Sequence, residues 1–193
     1  MTSREAILNN IKKNKPATTH ELPQTNIAHM CYEDKNEKFA AALKSVGGNA
    51  IWLKDESIDA FVAAHYKDVK VITSTLENLT CKNRDANQED TPHFLEDVDL
   101  AIIEGEFAVA ENGAVWVKNP KNKHRALYFL AKQLLIIVKK ENIVDTMHEA
   151  YERVEFNESG YGTFISGPSK TADIEQSLVI GAHGPTDACV LFI

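Results

Sequence analysis

Phe39-Ala40-Ala41-Ala42-Leu43-Lys44-Ser45-Val46-Gly47-Gly48-Asn49-Ala50-Ile51-Trp52-Leu53 decides the fold class. Phe39, Ala42, Leu43 and Val46 recur at helical spacing, and Gly47-Gly48 stops the helix. Ala50 to Leu53 is then a short apolar run of the kind that forms a buried strand. Outward from here the alternation repeats. Ser57 caps a second helix through Phe61, Val62 and Tyr66, and Val69 to Ser74 is the next strand. Strand–helix–strand units of this length imply parallel pairing with right-handed crossovers.

Further along, Asp99 to Glu104 reads as a strand, as do Leu134 to Val138 and Ala188 to Ile193. Phe107 to Ala110 and Ala114 to Val117 flank Glu111-Asn112-Gly113. There the Asn-Gly pair predicts a tight type I′ hairpin, because both central positions need positive φ. Cys81 to Phe94 is polar and reads as an exposed loop. Helices are expected over His124 to Lys132, Ile143 to Arg153 and Ala172 to Ile180. At the front, Thr2-Ser3-Arg4-Glu5 is a capping-box pattern followed by Ile7, Leu8 and Ile11, so a short helix to about Asn14 is predicted. Lys15 to Met30 has no periodicity and reads as an extended arm. The expected organisation is an N-terminal helix and arm over residues 1–30 and one α/β domain over residues 31–193. The expected fold is a mostly parallel sheet with helices on both faces plus an antiparallel hairpin.

At 193 residues, 44% hydrophobic and 25% charged, the chain can bury roughly 70% of its unfolded surface without disulfides. Its net charge of −7 argues against nonspecific nucleic-acid binding, which demands a basic face. Apolar runs such as Leu134 to Val138 are far too short for membrane insertion, and no secretory pattern opens the chain, so a cytoplasmic location is expected. Cys31, Cys81 and Cys189 are far apart and make no Cys-x-x-Cys pair, and the histidines are scattered. No metal site and no cofactor is expected, and reduced, mostly buried thiols are the simplest reading.

Two C-terminal segments carry the chemistry. In Ile165-Ser166-Gly167-Pro168-Ser169-Lys170-Thr171-Ala172-Asp173-Ile174-Glu175 a strand ends, Gly-Pro turns the chain, and hydroxyl and acidic residues are placed to open a helix. Such a junction offers free N–H groups to a small anion, held by Ser166, Gly167, Ser169, Lys170 and Thr171. It equally fits a plain helix start, with Ser169 or Thr171 as cap and Asp173 and Glu175 complementing the dipole. Ligands of open parallel sheets gather beyond the carboxyl ends of the strands, which is where this junction is expected. Gly181-Ala182-His183-Gly184-Pro185 surrounds an imidazole with small neighbours. His183 suits acid–base work or anion donation, with Gly184 allowing close approach, and a structural turn histidine is the alternative. Lys121, Lys123, His124 and Arg125 can bind an anion or simply form a solvated basic helix start.

Phe164 to Glu175, then Gly181 to Pro185 and a terminal strand, resemble the C-terminal signature of the LUD-domain (lactate-utilization) family. The rest of the chain matches in element order and around Gly105 to Val117. The resemblance implies a fold similar to the NagB/RpiA/CoA-transferase group. It also implies an accessory or ligand-binding subunit in oxidation of L-lactate to pyruvate, working with iron–sulfur partner subunits that hold the redox centres. One departure concerns Glu111-Asn112-Gly113-Ala114, where the family pattern would have a Glu-Thr-Gly-Thr-like turn. This segment is similar to the Ser-Glu-Asn-Gly of CoA transferases, whose glutamate is the nucleophile. Carried over, that marks Glu111 as a catalytic candidate beside His183. A stand-alone transferase or isomerase acting on an acyl thioester or sugar phosphate, and a non-catalytic small-molecule sensor, are the alternatives.

Overall fold

The computed structural model describes residues 2–15, 30–88, 90–118, 122–155, 161–171 and 179–193. Helix α1 (Ser3–Lys13) carries the expected capping box between Thr2 and Glu5. It buries no residue, and Ile7, Leu8 and Ile11 lie exposed along it. Most of the expected arm, residues 16–29, lies outside the described residues.

Asp34 caps α2 (Lys35–Ser45) by accepting from the N–H groups of Asn36 and Glu37. Strand β1 (Asn49–Trp52) follows, then α3 (Ile58–His65) capped by Ser57, then β2 (Ile72–Ser74). The polar stretch expected as an exposed loop is largely exposed, with Ala86 its one buried residue among those described, and it runs into a 3₁₀ turn over Pro92–Leu95 whose last residue is buried. After it come β3 (Leu100–Glu104), β4 (Phe107–Val109), β5 (Ala114–Lys118), a single helical turn α4 (Leu127–Leu130) and β6 (Gln133–Val138). The helix expected over Ile143 to Arg153 is divided. Ile143–Val144 is a buried strand, β7, and Thr146 caps a shorter helix α5 (Met147–Arg153). Strand β8 (Gly162–Ile165), the paired strands β9 (Lys170–Thr171) and β10 (Val179–Ile180), and β11 (Asp187–Phe192) complete the order.

The central sheet is wholly parallel, in the order β1-β11-β6-β3-β2. Both its faces are buried, which is why β6 reads Leu134-Leu135-Ile136-Ile137-Val138 without polar interruption. Ile103, Leu134, Ile136, Val138, Val190 and Phe192 pack under α2 and α4 through Phe39, Leu43 and Leu127. Ile102, Leu135, Ile137 and Leu191 pack on the other face under Phe61 and Val62 of α3. A second, four-stranded sheet, β7-β4-β5-β8, lies on the α2 side and contributes Ala108, Val115 and Val117 to that core. The expected fold is therefore found, enlarged by a small mixed sheet.

The β4–β5 hairpin is where it was expected, but its connection is wider. Val109 pairs with Ala114, so Ala110 to Gly113 form a four-residue loop and not a two-residue type I′ turn. The loop closes on itself: Gly113 N–H donates to the Val109 carbonyl, and the Asn112 side-chain oxygen accepts from Ala114 N–H.

The largest departure is at the C-terminal segment. Val179–Ile180 was expected to end a helix; it is a strand paired antiparallel with Lys170–Thr171. Thr171 is therefore a strand residue, and the rest of the expected helix, residues 172–178, lies outside the described residues. The helix expected over His124 to Lys132 is likewise reduced to α4.

Candidate ligand cleft

The β9–β10 pairing changes the geometry of the two chemical segments. Turns at opposite ends of one helix would stand apart; turns at the base of one hairpin touch. Gly181 N–H donates to the Ser169 carbonyl at 2.9 Å, and Ser169 N–H donates to the Pro185 carbonyl at 2.8 Å. Ser166 to Ser169 and His183 to Pro185 thus line one cleft of about 370 Å³. Its remaining wall is apolar, formed by Tyr128 and Phe129 of α4, Leu134 of β6, and Phe164 and Ile165 of β8. Leu134 is the second residue of β6 and Pro185 lies two residues before β11, so the cleft lies at the amino ends of these central strands. The junction does follow the carboxyl end of its own strand, β8, but β8 belongs to the small mixed sheet and not to the central parallel one.

Each wall is fixed by packing. Phe164 sits among Trp116 (4.7 Å between centroids), Tyr151 (5.8 Å) and Phe107 (6.2 Å). Gly184 is where the floor is tightest: a Cβ there would lie 3.0 Å from the Phe129 carbonyl oxygen and 3.1 Å from Ser169 Oγ. The glycine lets the His183 turn and α4 close over Ser169.

The polar groups divide by what they have left to offer. Ser166 Oγ donates its proton to the Asn112 carbonyl at 2.9 Å, which ties the hairpin loop to the cleft and leaves this hydroxyl only as an acceptor. Ser169 Oγ and the N–H groups of Gly167, His183 and Gly184 have no hydrogen-bond partner among the described residues. With the exposed His183 ring they are the available donors. Lys170 and Thr171, on β9, do not line the cleft, and Lys170 is exposed.

Glu111 is placed elsewhere. Its carboxylate accepts from Met147 N–H at 2.8 Å, at the start of α5, and its own N–H donates to the Asp145 carbonyl. It is exposed and does not line the cleft. The basic group is engaged as well: Lys123 pairs with Asp90, His124 is buried beside Phe94, and Arg125 lies over the Tyr161 ring at 5.0 Å. Lys121 lies outside the described residues.

Perturbed ionisation is found in the scaffold. Asp99 accepts from Lys132 Nζ at 2.7 Å and from the N–H groups of Lys70 and Val71, which together hold its carboxyl down at about 2. Burial pushes the Cys189 thiol up to about 12. Burial and the neighbouring Asp59 raise Cys81 to about 11, while Cys31 is exposed. The thiols are thus one buried, one half-buried and one exposed, where mostly buried ones were expected. Among the described residues no helix is long and apolar enough to cross a membrane.

A wholly parallel central sheet with helices on both faces, carrying a small mixed sheet and a Ser/His-lined cleft where two C-terminal turns meet, defines the chain as an α/β domain. Residues 59–193 match the LUD domain, and the chain belongs to that family. The chain is 33% identical over 121 residues to lactate utilization protein C of Bacillus pumilus, covering 60% of this chain and 50% of that protein. It is 35% identical over 101 residues to lactate utilization protein C of Shouchella clausii, covering 49% and 44% respectively. It spans about half the length of the curated relatives it matches. The crystal structure of a DUF162 family protein from Deinococcus radiodurans shares the fold, with a TM-score of 0.66 at 16% identity over 82% of this chain and 95% of that one.

Proposed function

We propose that this protein is an accessory, ligand-binding subunit of a lactate-utilization system, working with iron–sulfur partner subunits that carry the electrons. Its relatives named lactate utilization protein C support the system. The convergence of Ser166 to Ser169 and His183 to Pro185 on one cleft supports the binding role. A cleft of about 370 Å³ falls at the small end of the roughly 300–1,000 Å³ usual for small-molecule sites. The wide spacing of Cys31, Cys81 and Cys189 suits a subunit that leaves electron transfer to partners.

The test is a pull-down of the tagged chain from cells grown on L-lactate, under reducing conditions. Iron and L-lactate-dependent dye reduction are measured in the co-purifying material. The expected result is both signals in the complex and neither in the isolated chain. Dye reduction by the purified chain alone, free of iron, would refute the accessory role. No observation favours Glu111 as a nucleophile, since its carboxylate is already used at the start of α5.

A further inference from the structure

On the reading that this cleft is the ligand site, we infer that it selects a monoanionic carboxylate carrying an apolar, ring-sized body, and that a bare three-carbon acid is not its best ligand. The cleft joins two unlike halves. One is a lip of neutral donors, Ser169 Oγ and the N–H groups of Gly167 and Gly184, together with the His183 ring. The other is a wall of Tyr128, Phe129, Leu134 and Phe164. A three-carbon hydroxy acid would satisfy the lip and leave the wall to water. Phe129 is 42% exposed at that wall, so a ligand body lying against it removes apolar surface that nothing in the described chain covers.

The charge of the head follows from what the cleft lacks. Among the described residues no lysine or arginine lines it, and Lys170 stands outside it. A dianionic phosphate would be desolvated without a permanent cation opposite it, which is costly. One negative charge spread over two oxygens suits a set of neutral donors and one imidazole, which keeps an N–H in either tautomer. Ser166, able only to accept, suits a hydroxyl on the ligand beside the carboxylate.

The test uses the full chain and four probes: L-lactate, L-3-phenyllactate, the uncharged diol in which the phenyllactate carboxylate is reduced to an alcohol, and phenyl phosphate. Binding is measured by calorimetry and by amide shifts of Gly167 and Gly184. L-3-phenyllactate is expected to bind about tenfold tighter than L-lactate, from burial of part of the Phe129 wall. The diol and phenyl phosphate are each expected to bind at least about tenfold more weakly than phenyllactate. Phe129→Ala should remove the advantage of phenyllactate over lactate; the side chain is 42% exposed, so the variant is expected to fold. Equal affinity for lactate and phenyllactate, or tightest binding of phenyl phosphate, overturns the inference while the cleft remains the site. If no probe moves the Gly167 and Gly184 amides, the cleft is not the site and both readings fall.

Discussion

Gly113→Ala tests how the hairpin loop is held against the body. Gly113 has φ +69°, and a Cβ there would lie 2.7 Å from the backbone nitrogen and 2.8 Å from the Cα of Leu43 in α2. Two costs follow. Placing alanine in the left-handed region costs about 1–2 kcal/mol. The contact adds more, because the atoms it meets are helix backbone in a packed layer where Leu43 is 1% exposed. The loop must retreat toward ordinary contact distance, which loosens the packing of α2 against β4 and β5 and pulls on the Ser166–Asn112 hydrogen bond. Together these give an expected loss of about 2–4 kcal/mol. The assay is equilibrium urea unfolding, with the loss read as a lower midpoint at unchanged slope. Gly113→Asn separates the two costs, since asparagine tolerates the left-handed region but carries the same Cβ. Nearly equal losses in the two variants mean that the close approach dominates. A loss below about 1 kcal/mol for Gly113→Ala would refute the close packing of loop and helix.

Asp99→Asn should cost about 1–2 kcal/mol at neutral pH, allowing for the exposure of its partner Lys132. Because the folded carboxyl is held down near 2, this stabilisation is present above the unfolded carboxylate range. It is lost as pH falls from about 4 toward 2, so wild type and variant should converge in stability at the acid end. Deleting residues 2–15 should change folding stability by less than about 0.5 kcal/mol, since α1 buries nothing; a larger loss by urea unfolding would show that the helix packs on the body. Ser169→Ala should weaken carboxylate binding about three- to tenfold, whereas Thr171→Ala, on β9, should leave it unchanged, both read by calorimetry. A thiol reagent should modify Cys31 rapidly in the native chain and reach Cys81 and Cys189 far more slowly, with all three equal after unfolding, as counted by mass spectrometry.

The central sheet was legible because its signals are local and redundant. Leu134 to Val138 has the short, unbroken apolar run of a strand buried on both faces, and Gly47-Gly48 between α2 and β1 marks a boundary on either side. The elements that escaped are those whose local pattern fits two structures equally. Ile143 to Arg153 has helical spacing throughout, yet Ile143–Val144 is drawn into a parallel pair with Ala108–Val109, and the helix begins only at its Thr146 cap. Two residues of strand cannot outvote nine of helix in the sequence; a partner strand can in the fold.

The same contest decided the site. Ser-Lys-Thr-Ala-Asp satisfies every rule for opening a helix, and on that reading Ser169 and His183 would belong to separate turns. What brings the two turns together is long-range: β9 pairs with β10, Ser169 bonds to both Gly181 and Pro185, and Gly184 gives up its side chain so that Phe129 and Ser169 can close together. The residue types were readable one by one, but their meeting was not, because it depends on hydrogen bonds spanning a dozen or more residues. The sequence did hold one sign of it. Gly181 has φ +71°, and a Cβ there would meet Thr186 at 2.3 Å, so this glycine belongs to a chain folding back on itself and not merely to a helix that stops. A glycine on each side of a histidine is therefore better read as a pair of close approaches, Gly181 to Thr186 and Gly184 to the Phe129 carbonyl and the Ser169 side chain.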